Sequence, residues 1–139
     1  MGTEVLILLV EDDLVDVMTI KRAFKDIKIG NPLQVCDNGL EALKYLKNPS
    51  NRTPGIILLD INMPKMNGIE FLEIIKKDKD LKRVPVVVLT TSKAEQDKME
   101  SFNLGVSGYM IKPVDYLQFV ETVKTIHLYW TLSELPKKK

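Results

Sequence analysis

The sequence predicts an α/β domain in three layers, a doubly wound parallel sheet with helices packed on both faces. Two observations predict it. Residues 5–10 (VLILLV), 56–59 (IILL) and 86–89 (VVVL) are continuous apolar runs of strand length. Runs without polar alternation mark strands buried on both faces, as in parallel sheets. These runs and two weaker ones, 33–36 (LQVC) and 109–111 (YMI), alternate with stretches whose apolar residues recur at helical spacing. Strand and helix therefore alternate five times, the pattern of βαβ units with right-handed crossovers.

The helices follow in order. Val17, Ile20, Phe24 and Ile27 recur at intervals of three, four and three. Leu43 and Leu46 follow Asn38-Gly39, and Gly68, Leu72 and Ile75 share a face with Phe71 and Ile74 beside it. Residues 93–103 form the thin helix, with only Ala94, Met99 and Phe102 apolar. Tyr116, Phe119, Val120, Val123, His127 and Trp130 make a last, long stripe. The polar stretch 47–55 is longer than a helix-to-strand connection needs and reads as a surface insertion.

Composition bounds the function. The chain has 139 residues, 45% hydrophobic and 28% charged, which suits one domain over 1–139. A net charge of +1 gives no bulk electrostatic reason to coat nucleic acid or anionic membrane. The single cysteine, Cys36, excludes an internal disulfide and fits a reducing compartment. No apolar run approaches the ~20 residues that span a bilayer. The first ten residues lack a signal peptide's basic start, and Leu6 stands where a myristoylation motif needs Ser or Thr. A cytoplasmic protein is expected.

In open α/β sheets, sites form beyond the carboxyl ends of the strands, where the strand order reverses. Beyond the first run comes Glu11-Asp12-Asp13, beyond the third Asp60-Ile61-Asn62-Met63-Pro64, beyond the fourth Thr90-Thr91-Ser92, and beyond the fifth Lys112-Pro113. Each has a plain structural explanation: helix capping for the acids, a turn for Asp60, a strand-end hydroxyl for Thr90, a solvated loop for Lys112. Their coincidence at the ends of four strands favours one shared rim. Two carboxylates about 4 Å apart repel by roughly 4 kcal/mol at an effective dielectric of ~20. One of them must bind a proton, or a cation must sit between them. Hard oxygen ligands suit Mg²⁺ or Mn²⁺, and Mg²⁺ uses few carboxylates, which leaves one acid for chemistry.

This ordered set resembles the CheY-like receiver domain of two-component response regulators. The resemblance spans residues 4–127 and rests on Glu11-Asp12, Asp60 with Met63-Pro64 and Gly68, Thr90, and Gly108-Tyr109 with Lys112-Pro113. It implies a flavodoxin-like (βα)5 fold with strand order 2-1-3-4-5. It implies that Asp60 accepts a phosphoryl group from a phosphohistidine on a sensor histidine kinase or a histidine phosphotransfer protein. Asp12 would bind Mg²⁺ directly, Glu11 mainly through water, and the Asn62 backbone carbonyl would add a ligand. Lys112 would pair with Asp60 and then with a phosphoryl oxygen, its bond to Pro113 being cis. Thr90 would donate to the phosphoryl group and Tyr109 would change rotamer with it. Such a chain is a phosphoryl acceptor that assists its own modification, not an enzyme with turnover. Thr91 stands where the family often has Ala or Gly, and its bulk could crowd the path to Asp60. Asn62 and Ser92 hold positions that influence how fast water removes the phosphoryl group.

The insertion 47–55, Thr90-Thr91-Ser92 and the tail 129–136 resemble stand-alone regulators of phytochrome kinases. Beyond the core, the extension 128–136 carries Leu128, Leu132 and Leu135, a second apolar stripe that suggests a homodimer through the last strand, helix face and tail. Thr131-x-x-Glu134 alternatively starts a new turn that folds the leucines back. His127 is the lone histidine, which makes no metal cluster. Output is expected through protein contacts, without nucleic acid or membrane. Three rivals remain. A haloacid-dehalogenase-type Mg²⁺ phosphatase needs an acid where Asn62 stands. A flavodoxin-like cofactor binder needs a phosphate cradle where Glu11-Asp12-Asp13 would repel one. An unphosphorylated receiver scaffold would keep the fold alone.

Overall fold

The computed structural model describes residues 6–26, 31–63, 66–111, 117 and 121. The elements run β1 (Ile7–Val10), α1 (Leu14–Asp26), β2 (Leu33–Cys36), α2 (Gly39–Lys47), β3 (Ile56–Asp60), α3 (Gly68–Lys76), β4 (Val86–Thr90), α4 (Lys93–Ser101) and β5 (Gly108–Ile111). The sheet has the order β2-β1-β3-β4-β5, and every neighbouring pair is parallel. Val5, Ile27, Pro64, Lys112-Pro113, the last apolar stripe from Tyr116 to Trp130, the Thr131/Glu134 turn and the leucine tail lie outside the described residues.

Every residue of β1, β3 and β4 is buried, as unbroken apolar runs require. Alternate residues feed two cores. Leu8, Val10, Ile57, Leu59, Val86 and Val88 pack against Ala42, Phe71, Leu72, Ile75 and Met99 from α2, α3 and α4. Ile7, Leu9, Ile56, Leu58, Val87 and Leu89 pack against Val17, Ile20, Ala23 and Phe24 of α1. The sheet is thus wound with helices on both sides. In α4 only Met99 is buried, in keeping with its thin apolar spacing. In the 47–55 stretch, residues 47–50, 52 and 53 are exposed while Pro54 is buried.

β3 and β4 run one residue beyond their apolar runs, so Asp60 and Thr90 are strand residues rather than loop residues. Parallel pairing uses backbone groups alone. Asp60 stands in register with Leu89 and Thr90 with Ile111, whatever their side chains.

The turn after β3 depends on Gly68. Its N–H donates to the Ile61 carbonyl at 3.1 Å. A Cβ there would lie 2.5 Å from Ile61 Cα and 2.7 Å from its Cγ2. Backbone cannot yield as a flexible side-chain end can, so only glycine lets α3 begin this close to the end of β3. Gly68→Ala is expected to destabilise the fold by about 1–3 kcal/mol, the range for overpacking, measured as a lowered urea midpoint at unchanged slope.

Cys36 ends β2 and is buried. Burial, then the negative charges of Glu41 and Asp37, push its thiol up from 9.0 to about 11. Between those values the unfolded thiol ionises while the folded one does not, so this group favours folding less as pH rises from 9.0 towards 11. Below that window it remains an un-ionised thiol. Alkylation of native Cys36 at mildly alkaline pH should be slower than in the urea-unfolded chain by roughly tenfold or more, followed by mass spectrometry.

Candidate functional site

The strand order reverses between β1 and β3, and this is where the acids meet. Glu11, Asp12 and Asp60 each offer a carboxylate oxygen, and these atoms lie within 4.8 Å of one another. Glu11 is 1% exposed and Asp60 2%, while Asp12 is open to solvent. Pairing of Val10 with both Cys36 and Leu59 aligns the strand ends that deliver them.

The acidic triplet after β1 divides by role. Asp13 Oδ1 accepts from the N–H groups of Val15 at 2.8 Å and Asp16 at 3.2 Å, so the capping explanation holds for Asp13. Glu11 and Asp12 are left to the crevice. Glu11 Oε2 accepts from Asp13 N–H at 3.2 Å, and Asp60 Oδ1 from Asn62 N–H at 3.0 Å. Carboxylates this close repel one another, and a small divalent cation among them would offset that repulsion. An all-oxygen set with one solvent-facing member fits Mg²⁺ or Mn²⁺, which retain water ligands.

Thr90 is fully buried at the end of β4, and its hydroxyl donates to the Met110 carbonyl of β5 at 3.3 Å. Tyr109, the residue before Met110, is half-buried and in register with Val88. Burial, then the Glu100 charge, raises its phenol above the ordinary value. Lys112, expected on this rim, lies outside the described residues.

Sequence reasoning missed Glu95. Its carboxylate accepts from Asn62 Nδ2 at 2.9 and 3.2 Å, from Thr91 Oγ1 at 3.0 Å, and from Thr91 N–H. The Thr91 side chain, whose bulk raised the question of crowding, is exposed and bonded to Glu95. A signal was present: Ser92-x-x-Glu95 has the spacing of a capping box. It marks a helix start, not a contact with the loop after β3.

Residues 7–124 match the response regulator receiver domain family. The chain belongs to this family. Among its relatives, the response regulator Rcp1 of Synechocystis is 38% identical over 128 residues, covering 89% of this chain and 87% of Rcp1. The probable methanogenesis regulatory protein FilR2 of Methanothrix harundinacea is 37% identical over 128 residues, covering 90% of this chain and 83% of FilR2. The structure of the phosphorylated cyanobacterial phytochrome response regulator RcpA superposes with a TM-score of 0.79 at 37% identity, covering 93% of this chain and 95% of RcpA. The Mn²⁺-bound form of Rcp1 superposes with a TM-score of 0.76 at 38% identity, covering 91% and 94%. Receivers are signalling domains, and the cluster here has the composition of a receiver's divalent-metal site.

Asp12→Asn removes one full charge from the cluster and leaves the fold's buried residues untouched. It is expected to weaken Mn²⁺ binding by about tenfold or more, equivalent to ~1.4 kcal/mol, read by the electron paramagnetic resonance signal of free Mn²⁺.

Proposed function

We propose that this receiver accepts a phosphoryl group on Asp60 from the phosphohistidine of a sensor histidine kinase or a histidine phosphotransfer protein. The observation that carries this reading is the buried Asp60 carboxylate in one cluster with Glu11 and Asp12. In the step, an Asp60 oxygen forms a bond to phosphorus. The P–N bond breaks, and its electron pair stays on the imidazole nitrogen. Asp12, with Asp60 and the Asn62 carbonyl, would hold Mg²⁺ or Mn²⁺, and Glu11 would act mainly through water. The bound ion supplies positive charge against the phosphoryl oxygens.

Thr90 gives up the neutral Met110 carbonyl for a charged phosphoryl oxygen, a stronger acceptor. Lys112 supplies an ammonium to the same group, as in the family this chain resembles. Tyr109, next along β5, changes rotamer as the loop between β4 and α4 shifts. The output is a changed protein-interaction surface, and the thinly anchored α4 supports that reading. The acceptor is itself the modified species, so the chain turns over no separate substrate.

The donor docks beside the crevice. Leu14, Val15 and Met18, at the start of α1 just after the acids, are 75%, 70% and 68% exposed, an apolar strip suited to a donor helix. Likeness to the phytochrome response regulator RcpA supports a phytochrome-type kinase as that donor. For the homodimer, support comes from β5 at the sheet edge with Ile111 39%, Phe102 43% and Leu117 75% exposed. The 128–136 tail proposed to join it lies outside the described residues. No helix among the described residues is long and apolar enough to cross a membrane. A cytoplasmic setting accords with the free thiol of Cys36.

Incubation with acetyl phosphate and Mg²⁺ should add one phosphoryl group, seen by intact mass, and Asp60→Asn should abolish it. Undiminished labelling of Asp60→Asn would overturn the assignment.

A further inference from the structure

Three of the described helices, α2, α3 and α4, open on a cap followed three residues later by glutamate, and α3 and α4 use that glutamate differently. In α3 the box closes on itself: Asn67 Oδ1 accepts from Glu70 N–H at 3.0 Å, and Glu70 Oε1 accepts from Asn67 N–H at 3.1 Å. In α4, Ser92 Oγ accepts from Glu95 N–H at 3.1 Å. The Glu95 carboxylate, however, reaches past its cap to Thr91 and across to the Asn62 side chain. One half-buried carboxylate thus takes donors from two loops. Both loops belong to the site. Asn62 N–H holds Asp60 Oδ1, and Thr91 directly follows Thr90.

Two physical consequences follow. An acidic side chain stands between the two loops that flank the acceptor, additional to the cluster of Glu11, Asp12 and Asp60. Any phosphodonor that enters is anionic and is repelled by it. A shift of the Thr90 backbone toward a group on Asp60 would also draw Thr91 against its bonds to Glu95.

We propose that Glu95 is a positioning residue, a charged latch that ties the loop after β3 to the loop after β4 and restrains phosphoryl entry at Asp60. The inference rests on the phosphoryl-acceptor reading above. In the measured step an Asp60 oxygen bonds to the phosphorus of an acyl phosphate. The P–O bond to the acyl group breaks, and the carboxylate leaves with the electron pair. Glu95 exchanges no proton and acts through its charge and its hold on Asn62 and Thr91.

The test uses the full chain, acetyl phosphate and saturating Mg²⁺, with the initial rate of Asp60 phosphorylation measured at low and high salt. Glu95→Gln keeps length and an accepting oxygen but removes the charge. It is expected to raise the rate about three- to tenfold at low salt, with the gain shrinking at high salt as screening replaces the substitution. Glu95→Ala, which also unties the loops, should be at least as fast as Glu95→Gln at low salt. A helix-capping role alone would lower the melting temperature and leave these rates and their salt dependence unmoved, overturning the latch. So would a Glu95→Gln gain that salt does not reduce. A wild-type chain that takes no label overturns the acceptor reading, whereas a labelled wild type with unchanged variants overturns the latch alone.

Discussion

Acidic side chains gathered at the ends of two buried strands are the constraint on which the rest of this structure depends. Glu11 and Asp60 are both buried, and their oxygens share a crevice with Asp12. Burying an ionised carboxylate costs several kcal/mol even after relaxation, against a net folding stability of only about 5–15 kcal/mol. The chain sustains this because β1 and β3 are paired through their whole apolar length, from Ile7 with Ile56 to Val10 with Leu59. The acids ride on the ends of strands whose positions are fixed by two cores. A cation that binds the folded crevice and not the unfolded chain stabilises the fold by mass action. On the proposed acceptor reading, metal occupancy, fold stability and readiness for phosphoryl transfer would therefore be linked in one place.

Legibility in the sequence followed burial. Strands buried on both faces are written as unbroken apolar runs, so 56–59 and 86–89 could be read directly. Their final residues could not, since Asp60 and Thr90 join the sheet through backbone pairing that carries no side-chain signature. Periodicity says nothing about strand order, and the order 2-1-3-4-5 came from family resemblance before the sheet displayed it. The rule that sites sit beyond strand ends found the acids and Thr90. It could not divide Glu11-Asp12 from Asp13, because capping a helix and gathering about a cation call for the same side chain. Glu95 was illegible for another reason: it meets Asn62 across 33 residues of sequence, a contact that only the folded sheet creates.

The helices on the α2–α3–α4 face differ in what fixes them. Gly68, Phe71, Leu72 and Ile75 bury α3, and its capping box closes within itself. Its position is set by packing, which has no sensitivity to charge at the crevice. α4 buries Met99 alone and is held at its start by Ser92 and by the Glu95 bonds to Thr91 and Asn62. Just after it the chain passes through left-handed conformations at Asn103 and Gly105, with Leu104 between them packed against the edge of the core.

A helix seated by polar contacts responds to electrostatics in a way a helix seated by apolar contacts cannot. A phosphoryl group brings roughly two negative charges at neutral pH. Placed on Asp60, those charges act on Asn62 and Thr90, the neighbours of both ends of the Glu95 clasp. On the proposed reading the two loops and α4 would then have a different lowest-energy arrangement, while α3 and the sheet would keep theirs. Few apolar contacts must be broken for α4 to adopt it, so a local change in charge can shift the population of a whole surface. The poverty of apolar residues between Lys93 and Ser101, a weakness by the standards of core packing, is what would permit a charge at the site to be read from outside.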